Sequence, residues 1–279
     1  MVDKREAAVA GHYGSEDLRS RIFEAISRSG LDLNRLRPVD LAPVDEFHMG
    51  GRAASVEIVG RAGLSSEDRV LDIGCGLGGL VRYLTSETGC HTTGLDLTPD
   101  YIQLAQEFSA LTGQTGRADF VLGSALALPF DDATFSAALT FHVGMNIADR
   151  ATKYREAWRV LQPGGIFVIY DVLKGPEPGM RFPVPWADTA DTSFLVTAEN
   201  LRLLLETTGF AIQEEEDRTP TVLKHHRARM AELSAGAPPP PLGLHLLQGS
   251  TAKVKSQNMI EMAEAGQISL GLVIARKQG

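Results

Sequence analysis

The segment Asp72-Ile73-Gly74-Cys75-Gly76-Leu77-Gly78-Gly79 leaves few folds open to this chain. A buried-strand pattern over residues 69–73 runs into it, and a helical pattern over 80–88 leaves it and ends at Gly89. Glycines at such a junction permit a tight strand-to-helix turn and let a ligand reach main-chain amides with no side chain in the way. A second strand pattern covers 91–97. A carboxylate at its end, Asp96, can accept the hydroxyls of a ribose. Thr98 and Pro99 then open a helix whose apolar side is Tyr101, Leu104, Ala105 and Phe108. Further strands are expected at 118–122, 134–141 and 166–171, with a helix at 150–161 that stops at Pro163-Gly164-Gly165. Such βαβ repetition specifies an α/β fold with a doubly wound, mostly parallel sheet.

Outside this middle region the pattern loosens. Residues 1–62 read as a helical N-terminal extension, clearest over 17–29, with a loop around Pro38 and Pro43. Residues 174–196, rich in Pro and Gly and carrying Phe182, Trp186 and Phe194, are too long and apolar for a plain connection and read as a lid loop. A capped helix (197–208) and a strand (210–216) follow, and 218–265 read as a helical cap insertion. That insertion holds helices at 221–233 and 244–265, joined by the proline spacer 237–241. Residues 268–275 supply a last strand. The core is then 63–173, 197–217 and 266–279.

Composition narrows function by exclusion. A net charge of −8 repels polyanions, so neither nucleic acid nor an anionic membrane is the expected partner. The run Lys224, Arg227 and Arg229 reads as a solvated helix face. Two cysteines, Cys75 and Cys90, suit a reducing compartment, and no signal peptide or membrane-length apolar run is present, so a cytoplasmic protein is expected. His225-His226 point about 100° apart on a helix and lack further ligands at fitting spacing, so no metal site is expected.

The ligand at the glycine turn is open between two classes. Gly74, Gly76 and Gly79 satisfy the G-x-G-x-x-G spacing of a dinucleotide site, so a nicotinamide oxidoreductase is one reading. Asp72 argues for the other. An acid inside the turn would repel a pyrophosphate and attract a cationic ligand such as the sulfonium and ammonium of S-adenosylmethionine.

Four segments in the right order, VLDIGCGLGG, GLDLTPDYIQLA, GSALALPFDDATFSAALT and LQPGGIFVIYDVL, resemble the class I S-adenosylmethionine-dependent methyltransferases over about residues 66–217. The resemblance implies a seven-stranded sheet with an antiparallel last strand. It places Gly74, Gly76 and Gly78 along the amino-acid end of the cofactor, Asp96 on the ribose and Leu97 against the adenine. Ser124 stands where many relatives carry an acid, with Ala125 and Leu126 packing on the ring. Phe47-His48-Met49-Gly50-Gly51 resembles the H-x-G segment of amine and phenol methyltransferases, which makes His48 a wall of the methionine end. The overall pattern is most similar to the sarcosine and dimethylglycine N-methyltransferase group and related small-molecule enzymes.

An acceptor site is expected at Phe141-His142-Val143-Gly144-Met145-Asn146, beyond the fourth strand. There His142 is the candidate base and Asn146 the candidate for orienting a head group. Phe141 would face the cofactor, while Met145, Met49 and Trp186 would shape the acceptor pocket. An amine nitrogen is the preferred acceptor. Oxygen, carbon or sulfur acceptors and a non-catalytic cofactor-binding subunit stay open, as does oligomeric state.

Overall fold

The computed structural model describes residues 4–14, 17–234 and 240–279. Five parallel strands form the left and centre of the sheet: β1 (Arg69–Ile73), β2 (His91–Asp96), β3 (Ala118–Leu122), β4 (Phe135–Phe141) and β5 (Leu161–Lys174). β6 (Phe210–Asp217) and β7 (Ile268–Lys277) complete it, with β7 antiparallel to both neighbours in the order β3-β2-β1-β4-β5-β7-β6. The seven-stranded sheet with one antiparallel strand is as expected. Chain direction across the sheet reverses between β1 and β4, which makes their carboxyl ends the place where loops diverge and leave a crevice.

Helices α1 (Lys4–Tyr13), α2 (Leu18–Arg28), α3 (Pro38–Asp45) and α4 (Gly51–Ala62) precede the sheet. α5 (Gly79–Glu87), α6 (Pro99–Leu111), α7 (Arg150–Val160) and α8 (Ala198–Thr208) connect its strands. α9 (Thr219–Ser234), α10 (His245–Gln248) and α11 (Ala252–Glu264) lie between β6 and β7. Side chains cap the helices where the sequence offers them: Asp149 accepts the Thr152 amide at 3.0 Å and Thr197 accepts that of Asn200 at 3.2 Å. α2 buries Leu18, Ile22, Ala25 and Ile26, an i, i+4 stripe, against a cluster that also takes in Leu41, Leu104, Phe108 and Leu246. The N-terminal helices are thereby welded to α6 and α10. α1 alone among them buries no residue.

Three local expectations give way. Pro38 and Pro43 lie in a helix, since Pro38 takes the first helical position, where its missing N–H costs nothing. The helix expected over 244–265 breaks because Gly249 adopts φ 65°, outside helical space. The fifth strand extends well past 166–171, because Leu161 pairs with Phe135 and residues 172–174 pair with β7. The proline spacer 237–241 lies mostly outside the described residues, as does the side chain of Arg229. His225 is exposed and His226 half-buried. No helix among the described residues is long and apolar enough to cross a membrane.

The segment 174–196 is irregular apart from a short 3₁₀ turn (Ala190–Thr192). Its Trp186 is 1% exposed, packed in the core with Met259, Met262 and Ile268, and donates its indole N–H to Ser193 Oγ at 3.0 Å. Trp186 is therefore a core residue under the lid, with its one polar atom satisfied. Trp186→Ala should lower the unfolding free energy by about 3–5 kcal/mol in a denaturant titration; a loss below about 1 kcal/mol would return the ring to a surface role.

Candidate active site

One cavity opens at the carboxyl ends of β1, β2 and β4, with about 1310 Å³ of space counting its mouth. Asp96, at the end of β2, builds its floor. One carboxylate oxygen accepts the Gly76 amide at 2.9 Å and the other that of Thr98 at 2.9 Å. Burial lifts this carboxyl above its usual range against the pull of the two amides. Gly76 has φ 55°, and a Cβ there would meet no atom within 4 Å, so the residue opens straight onto the cavity. Gly74 has φ 83°, and a Cβ would lie 2.3 Å from Val143 Cγ2, so only hydrogen lets the loops after β1 and β4 meet. Gly78 differs from its expected place on the cavity. Its missing side chain makes room for Phe120 and Arg82 instead.

Carboxylates dominate one end of the lining. Asp72 is 2% exposed, and burial, reinforced by the charges of Glu46 and Asp96, pushes its pKa well up. Asp45 is pushed up to about 6 by burial, with the Arg82 charge opposing and that of Glu46 adding. Its second oxygen is bonded to Arg82 Nη2 at 2.5 Å, while Oδ1 has no partner. Glu46 stays ionised: burial works to raise it, but hydrogen bonds from His48 (3.0 Å) and Ser55 (2.6 Å) and the Arg52 charge hold it below its usual value. His48 lines the cavity and is held there by that bond to Glu46.

The turn after β4 supplies the other wall. His142 has φ 54°, and its amide donates to the Tyr170 carbonyl at 2.7 Å. Its ring sits 4.9 Å from the Tyr170 ring and 6.0 Å from that of His48. Nε2 has no partner, and burial followed by the nearby His48 charge pushes the imidazole well below its usual value. A neutral ring with a free nitrogen can take a proton. Phe141 also lines the cavity.

Several expected residues stand elsewhere. Asn146 borders the cavity, but its amide donates to the Trp186 and Thr192 carbonyls at 2.7 and 2.9 Å and its oxygen accepts Tyr13 Oη at 2.9 Å. That leaves no amide hydrogen for a head group, so Asn146 acts as a tie. Met145 is 3% exposed and packs in the core, as does the partly buried Met49; neither reaches the cavity. Leu97 and Ala125 do, whereas Ser124 turns away to bond Glu6. That contact belongs to a group the sequence did not disclose: Arg5, Glu6, Val9 and Tyr13 of α1 roof the cavity. The acidic pair Asp45-Glu46 before Phe47-His48 was a readable signal; the roof was not.

The lining fits S-adenosylmethionine better than a dinucleotide. Asp45, Glu46, Asp72 and Asp96 converge where a pyrophosphate would have to sit, and the unpartnered Asp45 Oδ1 and Tyr101 Oη suit a ligand rich in donors and cations. Residues 71–169 match the family described as "Methyltransferase domain". Residues 71–169 carry a methyltransferase domain. Over 111 residues this methyltransferase core is 35% identical to a sterol 24-C-methyltransferase of Eremothecium gossypii, covering 40% of the chain and 30% of that enzyme. The chain thus spans under half the length of the curated relatives it matches. In fold, it superposes on geranyl diphosphate C-methyltransferase from Streptomyces coelicolor with a TM-score of 0.72, 17% identity and coverage of 99% and 98% of the two chains. A putative sarcosine dimethylglycine methyltransferase from Galdieria sulphuraria gives 0.66, 19% identity and coverage of 94% and 99%.

S-adenosylhomocysteine should raise the melting temperature of the wild type, and Asp96→Ala and Gly76→Val should each remove most of that shift while remaining folded. Near-normal binding by either soluble variant would put the cofactor elsewhere. The depressed pKa of His142 gives a second expectation. Its folded value lies below the unfolded value of about 6.5, so the stability it contributes is present above that pH and is lost as pH falls. Below about pH 6.5 the wild type should lose stability faster than His142→Gln, by at most about 1.4 kcal/mol per pH unit. Parallel curves in denaturant titrations would show that the ring titrates alike in the folded and unfolded states.

Proposed function

We propose that the protein transfers the methyl group of S-adenosylmethionine to a small molecule, and that the acceptor is an amine nitrogen. The supporting observation is that an acid-lined cavity also carries His142 in its wall, with no partner on Nε2. When bound, S-adenosylmethionine supplies a methyl group on a sulfonium, which needs alignment and exclusion of water more than activation. Asp96 would hold the ribose hydroxyls, and Leu97, Ala125 and Leu126 would pack on the adenine. Gly74 and Gly76 would leave their backbone open to the amino-acid end, with Asp72 and the ionised Glu46 supplying negative charge there. Phe141 and Tyr13 would keep water from the acceptor. His142 would accept the proton that an ammonium must shed before its lone pair can attack.

A carbon acceptor is the second reading. It is favoured by the sterol C-methyltransferase relatives and by the full-length fold agreement with a geranyl diphosphate C-methyltransferase. A carbon centre also surrenders a proton after methylation, so His142 serves either case.

The test is formation of S-adenosylhomocysteine, with product masses, against primary to tertiary amines, phenols and quinols, and isoprenoid olefins. Turnover confined to amines, lowered in His142→Gln by about 10²–10⁴-fold, is the expected result. Turnover of olefins alone would establish the carbon reading, and cofactor binding without any turnover would leave a non-catalytic binding protein.

A further inference from the structure

The turn that presents His142 lies over a buried ionic cluster that touches no ligand cavity. His142, Val143 and Gly144 send three successive amides toward the end of β5. The first meets the Tyr170 carbonyl; the other two meet Asp171. Val143 N donates to Asp171 Oδ1 at 3.0 Å, and Gly144 N reaches Oδ1 at 3.1 Å and Oδ2 at 3.0 Å. Asp171 is fully buried, so without its carboxylate these amides would have no water to turn to. Arg150, 3% exposed, braces the acid at 3.4 Å and ties it to the Tyr154 hydroxyl (3.4 Å) and to the Phe194 carbonyl of the lid segment (3.3 Å). Residue 144 must be glycine, because a Cβ would stand 2.1 Å from Asp171 Oδ2. Lys153, buried beside the pair and bonded to Thr140 at 3.0 Å, completes the cluster under β4.

We infer that Asp171, braced by Arg150, is a positioning residue: its two oxygens lock the left-handed turn at His142 and so aim the imidazole into the cavity. A left-handed backbone at a non-glycine residue persists only when its surroundings over-determine it, and these amide bonds do so. The inference rests on His142 facing the acceptor. It is tested on the ring itself, so that it can fail without the methyltransferase reading failing.

The experiment is ¹⁵N-histidine NMR of the full chain with S-adenosylhomocysteine, the His142 signal being assigned by its loss in His142→Gln. The groups facing the ring are His48 from the segment after α3 and Tyr170 from β5, and both stay unchanged. In Asp171→Asn one oxygen becomes a donor aimed at the amides. The His142 signal should shift and broaden, and its titration should move up toward the ordinary histidine range. S-adenosylhomocysteine affinity should stay within about threefold, because Asp171 itself does not line the cavity. Arg150→Lys, the milder variant should Asp171→Asn not fold, should shift the signal in the same direction by less. A His142 signal and titration identical to wild type in whichever of these variants folds, even with a lowered melting temperature, would overturn the inference and leave Asp171 a purely structural acid.

Discussion

The Asp96 carboxylate holds two loops at once, taking one amide from the turn after β1 and one from the turn after β2. Parallel strands end without hairpins, so the amides beyond their carboxyl ends need partners from somewhere other than the ladder. Gly74 and Cys75 find theirs in the Leu95 carbonyl, and Gly76 finds its own in Asp96. With the turn fixed from β2, its backbone can take positive φ at Gly74, Gly76 and Gly78 and still present a defined surface. The loop after β4 then closes against it, Val143 filling the space that Gly74 leaves. The crevice at the reversal of the sheet is the gap between these two loops, and its shape follows from that one carboxylate.

Four acids at one end of the cavity, Asp45, Glu46, Asp72 and Asp96, pose a charge problem that the protein solves by half. Asp45 is paired with Arg82, and Glu46 is held by His48, Ser55 and Arg52. No ion pair among the described residues reaches Asp72 or Asp96. Buried carboxylates without cations either take protons or await a positive ligand, and the raised pKa values of both follow from the first course. A ligand bringing positive charge would lower both, which couples binding to proton release. A pyrophosphate would do the reverse. The same arithmetic distinguishes the two ligand classes that the glycine spacing left open.

The sheet was legible because its signals are local. Strand period, glycine turns and capping residues such as Asp149 and Thr197 act over a few positions, and the segments from 69 to 217 carry them. The contents of the site were half legible. Glycines and acids at strand ends are placed by the strands themselves, so Asp72, Gly74, Gly76 and Asp96 stand at the cavity. Met49 and Met145 each sit one residue from a lining position, Trp186 lies in a segment that supplies none, and apolarity alone does not say which way such a side chain faces. Packing decided all three toward the core. The roof was illegible for another reason. α1 buries none of its own residues and is placed by long-range ties, Glu6 to Ser124, His12 to Asp188 and Tyr13 to Asn146. Nothing in a ten-residue window encodes a contact made over a hundred positions away.

Those ties also separate the methyltransferase domain from the segments that cover it. Residues 71–169, which match the family, hold the glycine turn, Asp96 and His142. Asp171, two residues beyond, fixes the His142 turn from below by backbone amides, a contact indifferent to side chains on the cavity side. From above, α1 and the segment 174–196 are tied to each other through His12 and Asp188, and both bond the Asn146 side chain. A turn held from beneath by its own backbone amides can tolerate a different roof without changing its shape. Neighbours as differently named as a geranyl diphosphate C-methyltransferase and a putative sarcosine dimethylglycine methyltransferase share this fold at under 20% identity. This separation gives a physical route to that diversity, because the roof can change while the His142 turn is fixed from below by Asp171.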